Sequence, residues 1–253
     1  MRVVVVGGLG RIGAPLVTTL TRGGHDVVAA SRRSGIDVVT GEGLAEALRG
    51  ASVVVDVSDS PAFEDAAVMN FFTTSTRNLL AAEAAAGVGH HVVLSIVGID
   101  RVPELGYYRS KLAQEKLIKD SSIPYSIVRA TQFFEFLTII ADATTHGSAV
   151  RVPPARIQPV AADDVARAVA EFSTGTPLND TVEIGGPEPF YMAALMERVL
   201  GARNDPREVI ADSHARYFGA LLDEYALVPG DEAKLGKIRL DDWLGRSATS
   251  DHS

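Results

Sequence analysis

The sequence predicts an α/β protein built on a doubly wound parallel sheet. Three observations carry that expectation. Strand-like and helix-like segments alternate regularly along the first half of the chain. The opening run Val3-Val4-Val5-Val6 is short, β-branched and apolar throughout, as a strand buried on both faces is. It runs directly into Gly7-Gly8-Leu9-Gly10-Arg11-Ile12-Gly13, a glycine cluster that ends the strand and opens a helix.

The elements follow in order. The first helix takes Ala14 to Leu20 and stops at Gly23-Gly24. Asp26 to Ser31 reads as the second strand, and Ile36 to Thr40 as a short third. A short helix is expected over Gly43 to Leu48, and the fourth strand over Ser52 to Val57. A long helix from Ala66 to Ala86 ends at Gly87. His91 to Ile96 is the fifth strand, Tyr108 to Asp120 a helix, Tyr125 to Arg129 the sixth strand and Phe133 to Ala143 an apolar helix. Such βαβ runs place helices on both faces of the sheet.

After Gly147 the pattern loosens. Val150 to Pro154 and Gln158 to Ala161 read as extended, and Asp163 can cap a helix running to Glu171. Thr181 to Ile184 is a strand closed by Gly185-Gly186-Pro187. Helices are expected near Met192 to Gly201 and Ala215 to Glu224. The tail from Pro229 to Leu244 is polar, with anchors at Leu235, Ile238, Leu240 and Trp243, and the last eight residues are expected to fray. The expected organisation is a nucleotide-binding domain over residues 1–146. A smaller C-terminal substrate-binding or lid region, residues 147–253, packs on the same core.

Composition narrows the function classes. The chain has 253 residues, 46% of them hydrophobic, which is ample for one large domain with an appendage. It has no cysteine, which excludes disulfides, thiolate nucleophiles and cysteine metal sites. The net charge of −8 and the lack of a basic stretch beyond Arg32-Arg33 argue against nucleic acid as a partner. The opening apolar run is too short for a signal peptide or a membrane span, so no membrane and a cytoplasmic location are expected.

The glycine cluster lets the backbone turn tightly and approach a pyrophosphate. The following helix presents free N–H groups and its positive dipole end to that phosphate. Gly7, Gly10 and Gly13 are more than a turn requires, so a Rossmann-type dinucleotide unit is expected, with Arg11 and Ile12 in its loop.

Tyr107 and Lys111 lie one helical turn apart on one face. A phenol titrates near 10, and a neighbouring ammonium lowers that value. Such a tyrosine exchanges a proton with a carbonyl oxygen while a hydride moves at carbon. Ser95 ends the fifth strand, at the sheet edge where open α/β folds place ligands.

Gly7-x-x-Gly10-x-x-Gly13, Ser95 and Tyr107-x-x-x-Lys111 in this order resemble the short-chain dehydrogenase/reductase superfamily over roughly residues 1–135. Ala130-Thr131-Gln132-Phe133-Phe134 after the sixth strand is similar to its atypical, extended, NmrA-like branch. The resemblance implies Tyr107 as general acid/base, Lys111 as ribose clamp and pKa depressor, and Ser95 as partner of the substrate oxygen. It places Val57, Ser58, Ala130, Thr131 and Phe133 beside the cofactor, and Phe133, Phe134 and Tyr217 among the substrate contacts. Two positions depart from the pattern: Val6, where the superfamily often has Thr, and Val57-Ser58-Asp59-Ser60-Pro61 in place of Asn-Asn-Ala-Gly. They point away from the ordinary short-chain subclass.

An NAD-selective site places an acid after the second strand. Here Ser31, Arg32 and Arg33 follow it, which suits a 2′-phosphate. NADP(H) is therefore the expected cofactor, with NAD(H) possible and a solvated surface turn as the alternative for the two arginines. Other residues read structurally. His90 and His91 point to opposite faces, cannot easily chelate one ion, and are expected in a solvated loop, so no metal site is expected. Phe133-Phe134-Glu135-Phe136 is either an aromatic substrate wall or core, with Glu135 a candidate polar contact.

The expected function is an NADP(H)-dependent reductase or dehydrogenase acting on a carbonyl, quinone or enone of a small molecule. The alternatives are a non-catalytic NAD(P)-sensing regulator and a nucleotide-sugar epimerase or dehydratase. A monomer or a homodimer is equally compatible with the sequence.

Overall fold

The computed structural model describes residues 1–250. The chain opens with β1 (Arg2–Val6), α1 (Gly13–Arg22), β2 (Asp26–Ala30), α2 (Leu44–Ala47), β3 (Val53–Asp56) and α3 (Asp65–Ala86). Next come β4 (His90–Ile96), α4 (Gly106–Lys119), β5 (Tyr125–Ala130), α5 (Leu137–Ala143), β6 (Thr145–His146), β7 (Ala149–Val152) and β8 (Arg156–Ile157). The remainder is α6 (Ala162–Thr174), β9 (Asp180–Gly185), β10 (Phe190–Tyr191), α7 (Met192–Ala202), β11 (Glu208–Ala211), β12 (Lys234–Leu235) and α8 (Leu240–Ser250).

A seven-stranded sheet runs in the order β12-β9-β5-β4-β3-β1-β2. The valines Val3 to Val6 are buried, as their β-branched run requires. β2 and β3 both pair with β1 in parallel, with Val6 opposite Ala30 on one side and Asp56 on the other. Successive connections therefore leave β1 in opposite directions. That reversal opens a crevice at the carboxyl ends of β1 and β3.

The expected third strand is absent. The Asp37 carboxylate accepts the N–H groups of Val39 (2.8 Å) and Thr40 (3.3 Å), and the Asp37 carbonyl accepts Gly41 N–H at 2.8 Å. The side chain thus offers the backbone a turn in place of a ladder. Asn78 of α3 holds that turn by donating to the carbonyls of Val38 (3.0 Å) and Val39 (2.8 Å). Residues 215–224 likewise form no helix. Phe218 (φ 47°) and Gly219 (φ 93°) adopt left-handed backbone there, which closes a tight Tyr217–Ala220 bridge. The expected fraying of the last eight residues meets α8 continuing through Ser250; residues 251–253 lie outside the described residues.

The chain folds as two compact units, each assembled from separated stretches. The first holds residues 1–95, 106–129 and 165–182; the second holds 96–105, 130–164 and 183–253. The units interleave along the sequence rather than meeting at residue 146. In the first, Val4, Val6, Leu44, Leu48, Val54 and Leu79 form one core cluster, and α3 packs along α4. In the second, α7 packs against α5 and β11, burying Leu195, Met196 and Val199.

Candidate functional site

The glycine loop lies at the head of the crevice. Gly7 is left-handed (φ +77°), and a Cβ there would stand 2.8 Å from the Val57 carbonyl oxygen. A Cβ on Gly13 would collide with the Gly7 carbonyl. Gly8, which the Gly7-x-x-Gly10-x-x-Gly13 spacing leaves out, is equally constrained: its Cβ would meet Ala29 Cα at 2.8 Å. Gly10 is looser, with the Gly7 oxygen at 3.1 Å. The N–H groups of Arg11, Ile12 and Gly13 have no backbone acceptor among the described residues. They gather at the start of the ten-residue α1, a donor set that fits a pyrophosphate.

Ser31 follows β2 and caps a short turn over Arg32–Ser34, with Ser31 N–H donating to Ser34 Oγ at 2.9 Å. The side chains of Arg32 and Arg33 are exposed, as is that of Arg11, and no carboxylate occupies the position after β2. This donor set fits a phosphate better than a ribose diol alone.

Val57 and Ser58 leave β3 on the other side of the crevice. Ser58 donates both its N–H (2.9 Å) and its hydroxyl (2.6 Å) to Asp56 Oδ1. Gln114 Nε2 donates to Asp56 Oδ2 at 2.9 Å, and Lys111 Nζ donates to Gln114 Oε1. Asp56, Gln114 and Lys111 are all buried. Burial pushes the Lys111 ammonium below its usual pKa, against the opposing pull of Asp56, Asp59 and Glu115. Its Nζ also stands 4.6 Å from the centroid of the Phe72 ring.

Tyr107 and Lys111 share α4, but the phenol behaves differently from the expectation. Tyr107 donates its hydroxyl to Asp59 Oδ1 at 2.7 Å. Burial first, and the Asp59 carboxylate second, raise the phenol well above its usual pKa, where the sequence suggested a depression by Lys111. Tyr108 is buried, and Tyr107 packs edge-on against Phe72 with centroids 5.6 Å apart. Ser95 lies one residue before the end of β4 and donates to Glu115 Oε1 at 2.7 Å. Arg129 clamps the same carboxylate through Nε (2.9 Å) and Nη2 (2.8 Å). The sequence reading passed over Asp56, Asp59, Gln114 and Glu115. The only local signal was the pair Gln114-Glu115 one turn beyond Lys111.

Ala130, Thr131, Phe133, Phe134 and Tyr217 belong to the second unit. Thr131 is buried and donates its hydroxyl to the Gln158 carbonyl at 2.6 Å. The Ala130 carbonyl accepts Val97 N–H at 2.9 Å. Phe133 is half-buried. Phe134 is core, 5.5 Å from the Trp243 ring, and Glu135 accepts Trp243 Nε1–H at 3.1 Å. Phe136 stacks on Phe218 at 5.9 Å, and Tyr217 is buried edge-on against Phe218.

The histidines correct the expectation of a solvated loop, because both are buried in β4. His90 Nε2 pairs with Ser126 Oγ at 2.8 Å, and burial lowers its pKa to about 4. His91 Nδ1 lies 2.8 and 3.0 Å from the two oxygens of the buried Glu83. Burial lowers the His91 pKa, but the Glu83 carboxylate outweighs it and the net direction is upward. No cluster of three or more metal-ligating side chains occurs among the described residues. No helix among them is long and apolar enough to cross a membrane.

Fold and loop together define an NAD(P)H-binding protein built on a Rossmann-type sheet. Residues 7–174 match the NAD(P)H-binding family model, and the chain belongs to that family. The chain is 29% identical over 280 residues to the chloroplastic divinyl chlorophyllide a 8-vinyl-reductase of Oryza sativa subsp. indica, covering 93% of this chain and 68% of that protein. It is 27% identical over 221 residues to a (4-alkanoyl-5-oxo-2,5-dihydrofuran-3-yl)methyl phosphate reductase of Streptomyces griseus, covering 79% and 74%. A short-chain dehydrogenase/reductase superfamily protein from Agrobacterium tumefaciens, solved with NAD, shares the fold at a TM-score of 0.73 and 18% identity, over 100% of this chain and 97% of that one.

Proposed function

We propose that the chain is an NADPH-dependent reductase of a small organic molecule carrying a carbonyl, quinone or enone. The observation that carries this reading is the meeting, within one compact unit, of a phosphate-fitting glycine loop with a half-buried Tyr107 and a buried Lys111 on α4. Arg11, Ile12 and Gly13 hold the pyrophosphate, and Ser31, Arg32 and Arg33 hold the 2′-phosphate. Val57 and Ser58 line the cofactor on the β3 side. The cofactor supplies a hydride when bound.

Tyr107 supplies the proton. Its raised pKa keeps the phenol protonated at neutral pH but makes it a weaker acid than a free phenol, so proton donation requires release from Asp59. Lys111 grips the ribose with the ammonium hydrogens that Gln114 leaves free. Ser95, whose hydroxyl hydrogen goes to Glu115, has to release that carboxylate before it can donate to a substrate carbonyl oxygen.

One observation favours the sensor reading: the hydroxyls of both Tyr107 and Ser95 are committed to carboxylates. The deciding experiment is calorimetry with NADPH and NADH, followed by NADPH oxidation across carbonyl, quinone and enone panels. The reading expects NADPH to bind more tightly. Replacing Arg32 by Asp and Arg33 by Ala should cost about 1.5–3 kcal/mol of NADPH binding, the strength of a charge-assisted hydrogen bond. Equal wild-type affinity for both cofactors overturns the preference. Tight binding with no turnover on any panel leaves the sensor reading standing.

A further inference from the structure

The buried side chains behind Lys111 form a directed chain. Ser58 donates its N–H and hydroxyl to Asp56 Oδ1, which fixes that carboxylate. Asp56 Oδ2 accepts Gln114 Nε2–H, so the Gln114 amide has one permitted orientation, with Oε1 toward Lys111. Lys111 Nζ meets that oxygen and keeps further hydrogens for another acceptor. Every member is inside the first unit, and Asp56, Gln114 and Lys111 are at most 4% exposed. A buried ammonium is costly unless it is paired and hydrogen-bonded. This set meets that requirement while leaving Tyr107 outside it, bound to Asp59 instead.

Resting on the reading of Lys111 as a ribose-binding group, we infer that Asp56 and Gln114 are positioning residues. They hold the Lys111 ammonium charged and aimed, and they couple it to the Val57-Ser58 edge of the cofactor crevice. They touch neither substrate nor cofactor themselves. Removing Gln114 leaves the ammonium without its neutral acceptor in a buried place, so its charged form is disfavoured. The charged groups facing Lys111 are Asp56 from β3, Asp59 from the following loop, Glu115 from α4 and His91 from β4, which is paired to Glu83 of α3. Only Asp56 is linked to the ammonium by a fixed hydrogen-bonded bridge, through Gln114.

The test is NADPH binding, read by cofactor fluorescence across the titration range of lysine, on wild type, Lys111→Met, Gln114→Met, Gln114→Glu and Asp56→Asn. Wild-type affinity should fall toward alkaline pH as Lys111 loses its proton. Lys111→Met should bind weakly and lack that limb. Gln114→Met and Asp56→Asn should weaken NADPH binding on the order of tenfold and move the limb to lower pH, as the loss of a hydrogen bond to a charge implies. Gln114→Glu, which puts a carboxylate beside Nζ, should move the limb back upward. A purely structural role would lower affinity without moving the limb. Where Asp56→Asn does not fold, side-chain NMR of Lys111 in ligand-free wild type and Gln114→Met reads the same titration. Unchanged affinity and limb in Gln114→Met overturn the inference. So does an alkaline limb that survives in Lys111→Met, which removes Lys111 from the cofactor. Absence of NADPH binding in wild type overturns the proposed function itself, and is distinguishable from both.

Discussion

The two ends of the crevice in the first unit are built on opposite principles. At the glycine loop the constraint is steric: Gly7, Gly8 and Gly13 are bare because a Cβ would strike backbone. The groups offered outward there are N–H donors and exposed guanidinium side chains. At the Tyr107 end the constraint is polar: Ser95, Tyr107 and Lys111 each already hold a partner inside the protein. A steric cradle is ready for its ligand as it stands. A set of satisfied polar groups must exchange partners before it can act, and the strength of those partnerships sets its behaviour.

The largest effect should come from breaking the polar end. Tyr107→Phe keeps the ring against Phe72 and removes the proton donor. Turnover on a substrate found by the panel should fall about 10²–10⁴-fold with NADPH affinity kept, as for other general acids. Near-normal steady-state turnover would place the proton donor elsewhere.

Next in size is the buried His91–Glu83 pair beneath the same face. Glu83→Gln strips one partner from a fully buried ion pair and should cost about 3–5 kcal/mol in urea unfolding. The pair also carries a pH signature. Because the folded-state pKa of His91 is raised, its stabilisation is full below the unfolded value of about 6.5 and is lost as pH rises through the folded value. A wild-type unfolding free energy that gained from this pair on going alkaline would have the sign wrong.

The smallest effect sharpens the steric end. Gly13→Ala should lose about 1–3 kcal/mol of stability, the usual cost of overpacking. Gly10→Ala, where the nearest atom is the Gly7 oxygen at 3.1 Å, should stay folded and report on dinucleotide affinity instead. Equal melting temperatures for the two variants would dissolve the distinction between these glycines.

Much of the steric end was legible in the sequence, because sterics are local. A valine run followed by spaced glycines has few physical realisations, and Gly7, Gly10 and Gly13 stand where their spacing put them. Gly8 escaped because its constraint comes from Ala29, a neighbour across the sheet. The polar end was legible only as a set of residue types. Asp59 lies 48 positions from Tyr107 and Asp56 lies 58 from Gln114, so no spacing rule links them. The phenol's pKa direction reversed for that reason: Lys111 is visible in the sequence, whereas Asp59 and the burial are not. The missing strand at residues 36–40 failed differently. Its apolar residues alternate acceptably, but the single carboxylate of Asp37 turns the backbone aside.

That missing strand leaves β2 as the outermost strand of the sheet, with the Ser31–Ser34 turn hanging from its end. Arg32 and Arg33 therefore project from a margin that supports nothing beyond it, and exposed side chains of this kind usually change stability by no more than about 0.5 kcal/mol when replaced. In the proposed reading, phosphate recognition and folding are thus written on separate residues. On that reading, a change of dinucleotide preference asks only for a few marginal side chains to be exchanged, while the glycines and valines that build the cradle stay as they are.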